Sequence, residues 1–397
     1  MTGTHSEKWE FMSTAQINVP DLRTVLLVIG SLQGGGAERQ ISDMANYWAA
    51  KDWRVVLTTW SGPEVADFYP LDARVQRVHL ATQDHCTASK LPIRTNLTRV
   101  ARLRRLVKTV RPDVVLSFLT ESNVLTVLAG LGLDVRVAIS ERVHPARHTA
   151  LPWIWGILRR VFYRRADAVV AQTEDAAQWL NRNCRAQVTV IPNALRDLPM
   201  PSGERSDVIV AVGRLTHQKG FDLLLRAFAR VSPTAAEWKL VIVGEGEERL
   251  RLTRLRAELL LDNRVEFVGQ TPDVVGWMAR AGLIVQPSRF EGFPNVVLEG
   301  MGLGAAVICA DCPSGPADLI EDGVNGRLVP IEDVDTLAKV MSELIARPDE
   351  RARLGRAASH VRERYRQEVM MDRWEACLFP QSAKKRTRTG NNLSETQ

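Results

Sequence analysis

Two glutamates stand eight positions apart in the stretch "SRFEGFPNVVLEGMGLG", and their spacing suits a polar ligand. Glu291 lies in a loop that Gly292 and Pro294 interrupt, and Glu299 lies in the helix predicted after it. Proline fits the first turn of a helix, because its missing N–H group has no partner there in any case. Packing gives little reason for two carboxylates beside a helix N-terminus, so we expect a bound ligand there.

Two cations occupy a similar position earlier in the chain, in "VAVGRLTHQKGFDLLLRAFA". Gly213 ends a strand-like run, Arg214 follows it, and Lys219 precedes a helical pattern. An arginine and a lysine beside a helix N-terminus can bind a diphosphate. The alternative is a solvated basic loop, which is common and which the spacing alone favours.

Three consecutive glycines, Gly34, Gly35 and Gly36, separate the first strand-like run from its helix. Such a loop lets a ligand approach the backbone closely, and the helix N-terminus beyond it offers free N–H groups to an anion. The stretch matches neither a P-loop nor the dinucleotide-binding glycine pattern. An ordinary turn between strand and helix is the alternative.

Three further candidates are weaker. His144 follows a strand and would face the cleft, although a single histidine is more often structural. Cys309 and Cys312 have C-x-x-C spacing without a second pair, which disfavours a metal or redox site. Asp333 and Asp335 resemble a metal-nucleotide pair, but helix capping is the stronger interpretation because a helical pattern follows at once.

Alternating strands and helices must position these residues. Near-continuous apolar runs at 24–30, 54–60, 113–118, 135–140, 167–172 and 187–191 are typical of buried parallel strands, with helical patterns between them. A second series contains "DVIVAVG", "WKLVIVG", "RVEFVG", "GLIVQPS" and "AAVICA". The sequence therefore predicts an α/β protein with two doubly wound, Rossmann-like domains and ligands at the carboxyl ends of the strands.

The composition of the connecting segments predicts the domain boundaries. We expect a disordered segment at 1–22, a first Rossmann-like domain at 23–191, a Pro/Gly/Ser-rich linker at 192–206, a second Rossmann-like domain at 207–365, a helix at 366–380 that crosses back to the first domain, and a disordered tail at 381–397.

The bulk composition restricts the class of protein. The 397 residues are 45% hydrophobic and 25% charged, an ordinary balance for a globular protein. The polar N-terminal residues do not predict a secretory signal, no apolar run is long enough to span a bilayer, and five scattered cysteines favour a reducing cytoplasm. The net charge of +6 suits a phosphorylated ligand or an anionic membrane, and no nucleic-acid-binding module is present.

Taken together, these motifs resemble the retaining glycosyltransferases of family 4, which have the GT-B fold. The resemblance extends from about residue 23 to residue 378. It rests on "GGGAER" (34–39), "SER" (140–142), "IPNAL" (191–195), "VGRLTHQKGFDLLLRAF" (212–228), "VGEGEERLRL" (243–252) and the long block at 287–330. "GGAER" together with "DCPSGP" is similar to bacterial members that extend lipid-linked surface oligosaccharides.

The resemblance implies a role for each candidate residue. Arg214 and Lys219 would hold the donor diphosphate, Glu291 would contact the transferred sugar, and Glu299 would bind the ribose hydroxyls. Gly35 and Gly36 would lie beneath the donor phosphate, and His144 would contact the sugar. The helix mouth would be lined by Phe293, Pro294 and Asn295. No cofactor and no metal is implied.

The function that the resemblance implies is transfer of a sugar from a nucleoside diphosphate donor, UDP by default, to a lipid-linked or oligosaccharide acceptor. Two alternatives remain open: a hydrolysing UDP-sugar epimerase of the same fold, and a non-catalytic glycosyltransferase-like subunit. The epimerase would release UDP without an acceptor, and the subunit would not bind a donor.

Two basic helical stretches in the first domain suggest where the protein works. The stretch at 94–111 has an apolar stripe that includes Leu97 and an arginine-rich opposite side. The stretch at 151–165 places Trp153 and Trp155 beside two arginine pairs, Arg159-Arg160 and Arg164-Arg165. Both suit a peripheral position on the anionic inner face of the cell membrane. Core-facing helices with a solvated basic side are the alternative.

Overall fold

The computed structural model describes residues 23–80, 93–146, 151–199 and 205–380. The segments predicted to be disordered, 1–22 and 381–397, lie outside the described residues, as do residues 200–204 of the predicted linker. Two separate parallel sheets with helices around them form the described part. The prediction of an α/β chain with two Rossmann-like halves is confirmed.

The first sheet contains seven parallel strands in the order β3-β2-β1-β4-β5-β6-β7. The central residues of the five inner strands are buried, as the continuous apolar runs predict for strands with helices on both faces, whereas the edge strands β3 and β7 contain no buried residue. The strands are β1 Thr24–Ile29, β2 Arg54–Thr59, β3 Gln76–His79, β4 Val114–Phe118, β5 Arg136–Ser140, β6 Ala168–Ala171 and β7 Val188–Val190. The helices are α1 Gly36–Ala50, α2 Ile93–Val110, α3 Thr120–Gly130, α4 Trp153–Phe162 and α5 Glu174–Cys184.

The second sheet repeats the arrangement with six parallel strands in the order β10-β9-β8-β11-β12-β13. The strands are β8 Ser206–Val212, β9 Lys239–Val243, β10 Val265–Gly269, β11 Ala281–Gln286, β12 Val307–Ala310 and β13 Arg327–Val329. The helices are α6 Phe221–Val231, α7 Arg249–Glu258, α8 Val274–Arg280, α9 Asn295–Gly302, α10 Pro316–Leu319, α11 Val334–Ala346, α12 Pro348–Ala358, α13 Val361–Arg364 and α14 Gln367–Leu378.

The strand order places one topological switch point in each sheet. Strand β1 lies between β2 and β4, and β8 lies between β9 and β11. In each sheet, the strands that follow directly in the chain are added on one side of this strand, and the later strands are added on its other side. Ligands of such sheets bind outside the carboxyl ends of the strands at this point. The glycine loop follows β1, the Arg214–Lys219 segment follows β8, and the Glu291 loop follows β11. The topology therefore brings the predicted site residues together.

The last helix, α14, packs against the first sheet rather than the second. Met371, Trp374 and Leu378 are buried in the hydrophobic cluster that contains strands β1 and β4 and helix α1. The Trp374 ring lies 6.0 Å from the Phe118 ring, centroid to centroid. Glu375 Oε1 accepts a 2.7 Å hydrogen bond from Lys51 Nζ.

The two basic helices differ from their sequence interpretation. In α4, Trp155 and Arg159 are buried, and Arg159 donates to the carbonyl oxygen of Pro145 at 2.9 Å. Trp153 is 76% exposed, so only one of the two tryptophans lies on the surface. In α2, Leu97 is 64% exposed and does not join the buried stripe. The interpretation that both arginine pairs of the stretch at 151–165 lie on the surface is wrong for Arg159, which is 4% exposed.

None of the described helices combines the length and the apolar character that crossing a bilayer requires. The exposed face of α4 consists of Trp153, Ile157, Arg160 and Val161, which recur at helical spacing. Arg164 and Arg165 lie just beyond the helix and are exposed as well. We call these six residues the α4 face.

Candidate active site

Glu291 lies in the loop between β11 and α9 and is 5% exposed. Its Oε1 atom accepts hydrogen bonds from Lys219 Nζ at 2.6 Å, from the Ser288 hydroxyl at 2.6 Å and from Gln286 Nε2 at 3.3 Å. Three donors on one oxygen fix the orientation of the carboxylate. The carboxylate is therefore preorganised at the carboxyl end of β11.

Lys219 reaches this carboxylate because the segment before α6 approaches the loop closely. Gly220 has a φ of 66°, in the left-handed region that favours glycine. A Cβ atom on Gly220 would lie 2.2 Å from the carbonyl oxygen of Pro287. Glycine therefore permits both the turn and the backbone approach that joins Lys219 to Glu291.

Arg214 follows β8 and lines the same cavity from an exposed position. It faces Glu38, which belongs to the first turn of α1 in the other domain. Burial raises the pKa of the Glu38 carboxyl, while a backbone hydrogen bond and the positive charge of Arg214 oppose that increase. The two domains thus contribute opposite charges to the cleft.

Glu299 lies one turn into α9 and is 4% exposed. Its Oε1 lies 2.7 Å from Arg39 Nη1, and its Oε2 lies 3.1 Å from Arg196 Nη2. Arg39 belongs to α1 of the first domain and Arg196 follows β7, so the ion pairs connect the two halves of the protein. Glu299 and Glu291 are held by separate sets of cations.

The start of α9 forms one wall of the cleft. The helix begins at Asn295, so Pro294 is the residue before the helix rather than its first residue as the sequence suggested. Asn295 Oδ1 accepts a 2.7 Å hydrogen bond from Asn193 Nδ2. Phe293 is buried and lies 6.4 Å from the ring of Tyr365, centroid to centroid. Phe293 therefore anchors the loop in the core beside the cleft.

The glycine loop faces α9 from the other domain. Gly35 immediately precedes α1, and its carbonyl oxygen accepts a 3.2 Å hydrogen bond from the Tyr69 hydroxyl. A Cβ atom on Gly36 would lie 3.0 Å from Asn295 Nδ2. The first N–H groups of α1 are thus close to the start of α9. This arrangement is required if the N-termini of both helices are to bind the same anionic ligand.

One cavity of about 1360 Å3 lies between the two sheets. It is lined by the predicted site residues other than His144, which are Gly35, Gly36, Arg214, Lys219, Glu291, Phe293, Pro294, Asn295 and Glu299. His144 is buried, and its Nε2 atom lies 3.1 Å from Asp175 Oδ2 at the start of α5. It is not among the residues that line the cavity. The structure brings the two glutamates, the two cations and the glycine loop together and places His144 outside this group.

The two motifs whose spacing could suggest a metal site contain Asp333 and Cys312, and both residues are part of the local structure. Asp333 accepts a 2.9 Å hydrogen bond from the backbone N–H of Thr336 at the start of α11, which confirms the capping interpretation. Cys312 is buried, and burial raises the pKa of its thiol to about 12. Among the described residues no group of three or more His, Cys, Asp or Glu side chains is arranged to hold a metal ion.

Sequence reasoning did not identify several residues of the site. Arg39, Arg142 and Asn193 line the cavity and stand within the motifs "GGGAER", "SER" and "IPNAL", but no role was assigned to them. For Arg142 and Asn193 the available signal was a position just after a strand, whereas Arg39 lies in the first turn of α1. Arg196 carried no comparable signal, because its pairing with Glu299 depends on how the two domains pack.

Comparisons with known proteins agree with this geometry. Residues 35–194 match the family model described as a glycosyl transferase 4-like domain, and residues 199–361 match the model described as glycosyl transferases group 1. An α-1,4-N-acetyl-D-galactosaminyltransferase of Campylobacter jejuni, named for an undecaprenyl diphosphate-linked acceptor, is 29% identical over 319 residues. That match covers 79% of this chain and 87% of the relative.

Another relative, an exopolysaccharide phosphotransferase of Streptomyces coelicolor, is 30% identical over 292 residues. The match covers 72% of this chain, but the chain spans 30% of that protein. Among solved structures, that of Anabaena HepE in complex with UDP and glucose has a TM-score of 0.75 and 20% identity, and covers 90% of this chain and 99% of that chain.

The two family models between them match nearly all of the chain from residue 35 to residue 361, one on each Rossmann-like domain. The structural likeness covers both domains and the cleft between them. The chain therefore belongs to the group 1 glycosyl transferases and has the GT-B fold.

Proposed function

We propose that the protein is a retaining, metal-independent glycosyltransferase that uses a nucleoside diphosphate sugar, with UDP as the nucleotide. The observation that carries this proposal is the Lys219–Glu291 pair, 2.6 Å apart, in a cavity that Arg214 and Glu299 also line. Lys219 can then bind the phosphate while Glu291, beside it, binds the sugar. A sugar–phosphate bond requires such neighbouring groups, because its two ends differ in charge.

The charges suit the reaction. When the bond between the anomeric carbon and the phosphate oxygen breaks, its electron pair leaves with the nucleoside diphosphate. Arg214, Lys219 and the N-terminus of α9 face that growing negative charge, so a metal ion is not needed for this purpose. Glu291 lies beside Lys219, where its negative charge supports the positive charge that develops on the sugar.

The two glutamates have different roles in this proposal. A pair of hydrolytic carboxylates must flank the same glycosidic bond. Glu291 is instead joined to Lys219 of the second domain, and Glu299 is joined to Arg39 and Arg196. This separation supports sugar binding by Glu291 and ribose binding by Glu299, with the Arg39 pair rearranging when the nucleotide enters.

We propose a lipid-linked acceptor in surface polysaccharide synthesis, reached by reversible binding to an anionic membrane. The Campylobacter relative named above has such an acceptor in its name, and this supports the substrate class. The α4 face supports the location, because it combines an exposed tryptophan with three exposed arginines on the domain opposite the donor residues. The acceptor would remain in the membrane while the donor arrives from solution.

The experiment is a transfer assay with UDP-hexoses and UDP-N-acetylhexosamines and a polyprenyl diphosphate-linked saccharide as acceptor. We expect UDP release only when the acceptor is present, activity in excess EDTA, and a product that keeps the α configuration of the donor by NMR. Lys219→Ala should lower kcat by about 10²–10³-fold, the effect of removing one preorganised charge-stabilising group.

Lys339→Ala is the matched control, because Lys339 is an exposed lysine of α11 outside the cavity. It should retain the parent's kcat. A β-linked product would exclude the retaining mechanism, and UDP release with an epimerised free sugar in the absence of acceptor would identify the epimerase instead. Strict dependence on a divalent metal would contradict the proposed role of the two cations.

A further inference from the structure

Arg142 is a buried cation in the wall of the cavity. It follows β5, within the sequence Ser140-Glu141-Arg142, and is 6% exposed. It lines the cavity together with Val143, Gln172 and Asn193. None of the roles proposed above uses this side chain.

The charge of Arg142 has no carboxylate partner among the described residues. Its guanidinium donates to the Ser140 hydroxyl at 3.4 Å and to Asn193 Oδ1, and it lies 4.4 Å from the centroid of the Phe118 ring. The Nε atom is buried and has no hydrogen-bond acceptor in the described part. Burial alone lowers the pKa of Arg142 to about 9, so the side chain stays charged at neutral pH.

Arg159, which is buried, and Arg205, which is half-buried, have partners of a kind that Arg142 lacks. Arg159 lies 3.8 Å from the Glu141 carboxylate and donates to a carbonyl oxygen at 2.9 Å. Arg205 donates to the carbonyl oxygens of Ala279, Ala281 and Leu303. Within the described part of the chain, Arg142 has neither a carboxylate partner nor a backbone carbonyl acceptor, and its acceptors are the neutral side chains of Ser140 and Asn193. An uncompensated buried charge is unfavourable unless another group supplies the opposite charge.

The position of Arg142 is close to the reacting groups. A Cβ atom on Gly292 would lie 2.5 Å from the carbonyl oxygen of Arg142, so the backbone of the Arg142 segment packs directly on the residue after Glu291. Asn193, which accepts from Arg142, donates to Asn295 at the start of α9 at 2.7 Å. The uncompensated cation thus stands between the first domain and the loop that carries Glu291.

We propose that Arg142 is a phosphate-binding residue contributed by the first domain. Its positive charge gains an anionic partner only when a phosphorylated substrate occupies the cavity. A guanidinium can donate two parallel hydrogen bonds to phosphate oxygens, which a lone lysine cannot. This inference rests on the proposed nucleotide-sugar site. The phosphate is supplied either by the donor diphosphate or by the diphosphate of the lipid acceptor.

The test compares the parent protein with Arg142→Met, which keeps an unbranched side chain and removes the charge. Arg226→Met, at an exposed position of α6 outside the cavity, removes the same charge as a control. Isothermal titration calorimetry with UDP, with uridine, and with farnesyl diphosphate in the presence of saturating UDP separates the two phosphate sources. Thermal melting of the ligand-free proteins is measured in parallel.

If the donor supplies the phosphate, Arg142→Met weakens UDP binding by about tenfold to a hundredfold, the usual range for a hydrogen bond to a charged group. Farnesyl diphosphate then binds as in the parent. If the acceptor supplies it, farnesyl diphosphate binding falls by the same factor and UDP binding is retained. In both cases uridine binding and the control variant stay unchanged, and the ligand-free variant melts no lower than the parent.

A merely structural arginine would give the opposite pattern, with a lower melting temperature and unchanged affinities. Equal affinities of the parent and Arg142→Met for both UDP and farnesyl diphosphate would overturn this inference alone. If the parent itself failed to bind UDP, the proposed function would be contradicted as well.

Asn193→Asp provides a second test that leaves Arg142 in place. The new carboxylate would stand where Asn193 Oδ1 now accepts from Arg142, and would supply the missing negative charge within the protein. We expect the affinity for the same phosphate source to fall at least tenfold, because the ligand must compete with this carboxylate. A folded Asn193→Asp protein with the parent's affinity for UDP and for farnesyl diphosphate would also overturn the inference.

Discussion

At the scale of single residues, the contacts of Glu291 and Glu299 predict different kinetic effects. Glu291→Gln should lower kcat by about 10²–10³-fold, because its charge acts mainly in the transition state. Glu299→Gln should mainly weaken the binding of UDP, by about tenfold to a hundredfold, because a hydrogen bond to a charged group is lost. Steady-state kinetics and UDP titrations measure the two effects separately.

Glu237→Gln is the matched control, since Glu237 is exposed and does not line the cavity. It should match the parent in both measurements. If UDP bound Glu299→Gln as tightly as the parent, the ribose role of Glu299 would be wrong. A large loss of UDP affinity in Glu291→Gln with unchanged kcat would reverse the two assignments.

Residue types and spacing predicted the members of this site that follow strand ends, but not their partners. Lys219 and Glu291 could be placed together because β8 and β11 are neighbours at a switch point. The pairing of Glu299 with Arg39 and Arg196 could not be predicted from the sequence, because it depends on the contact between the two domains. His144 follows a strand as expected, yet a local partner, Asp175, holds it outside the cavity.

At the scale of elements, the α4 face predicts salt-sensitive binding to anionic vesicles. The combined variant Arg160→Glu, Arg164→Glu and Arg165→Glu should abolish cosedimentation with phosphatidylglycerol vesicles at low salt. Each cation near such a surface contributes about 1 kcal/mol of binding free energy, which reversal turns into repulsion. The fold should be retained, because the three side chains are exposed.

The matched control reverses three exposed arginines of the second domain, Arg226, Arg254 and Arg356, which leaves the α4 face intact. Vesicle binding should then be retained. Arg159 is excluded from the set because its reversal would bury a negative charge beside Glu141. Parent protein that remained in the supernatant with anionic vesicles would contradict the membrane proposal.

The elements themselves were predictable where apolar runs were continuous. The short edge strands β3 and β13 were missed, since "QRVH" and "RLV" contain charged residues and too few apolar ones to signal a buried strand. The buried side of α4 was misjudged for a different reason. Arg159 is held inside by Pro145, by Glu141 and by the Trp179 ring at 4.8 Å, contacts that arise only from tertiary packing.

At the scale of the whole molecule, α14 contributes to the stability of the first domain although it follows the second domain in the chain. Trp374→Ala should lower the free energy of unfolding by about 3–5 kcal/mol, because it leaves a cavity beside Phe118. Trp153→Ala should change it by less than about 0.5 kcal/mol, because Trp153 is 76% exposed. Denaturant titrations measure both, and equal stability of the two variants would contradict the structural role of α14.

The return of α14 to the first sheet also imposes an order on biosynthesis. The ribosome delivers the strands of the first sheet before any of the second domain, at about 5–20 residues per second. The last strand of the first sheet and α14 are therefore separated by about ten to thirty seconds of translation. During that interval the surface around Phe118 that Trp374 later covers stays open on the nascent chain. Chaperones would meet this apolar surface until the whole of α14 has emerged, so the core of the first domain is completed only after the second domain has been translated.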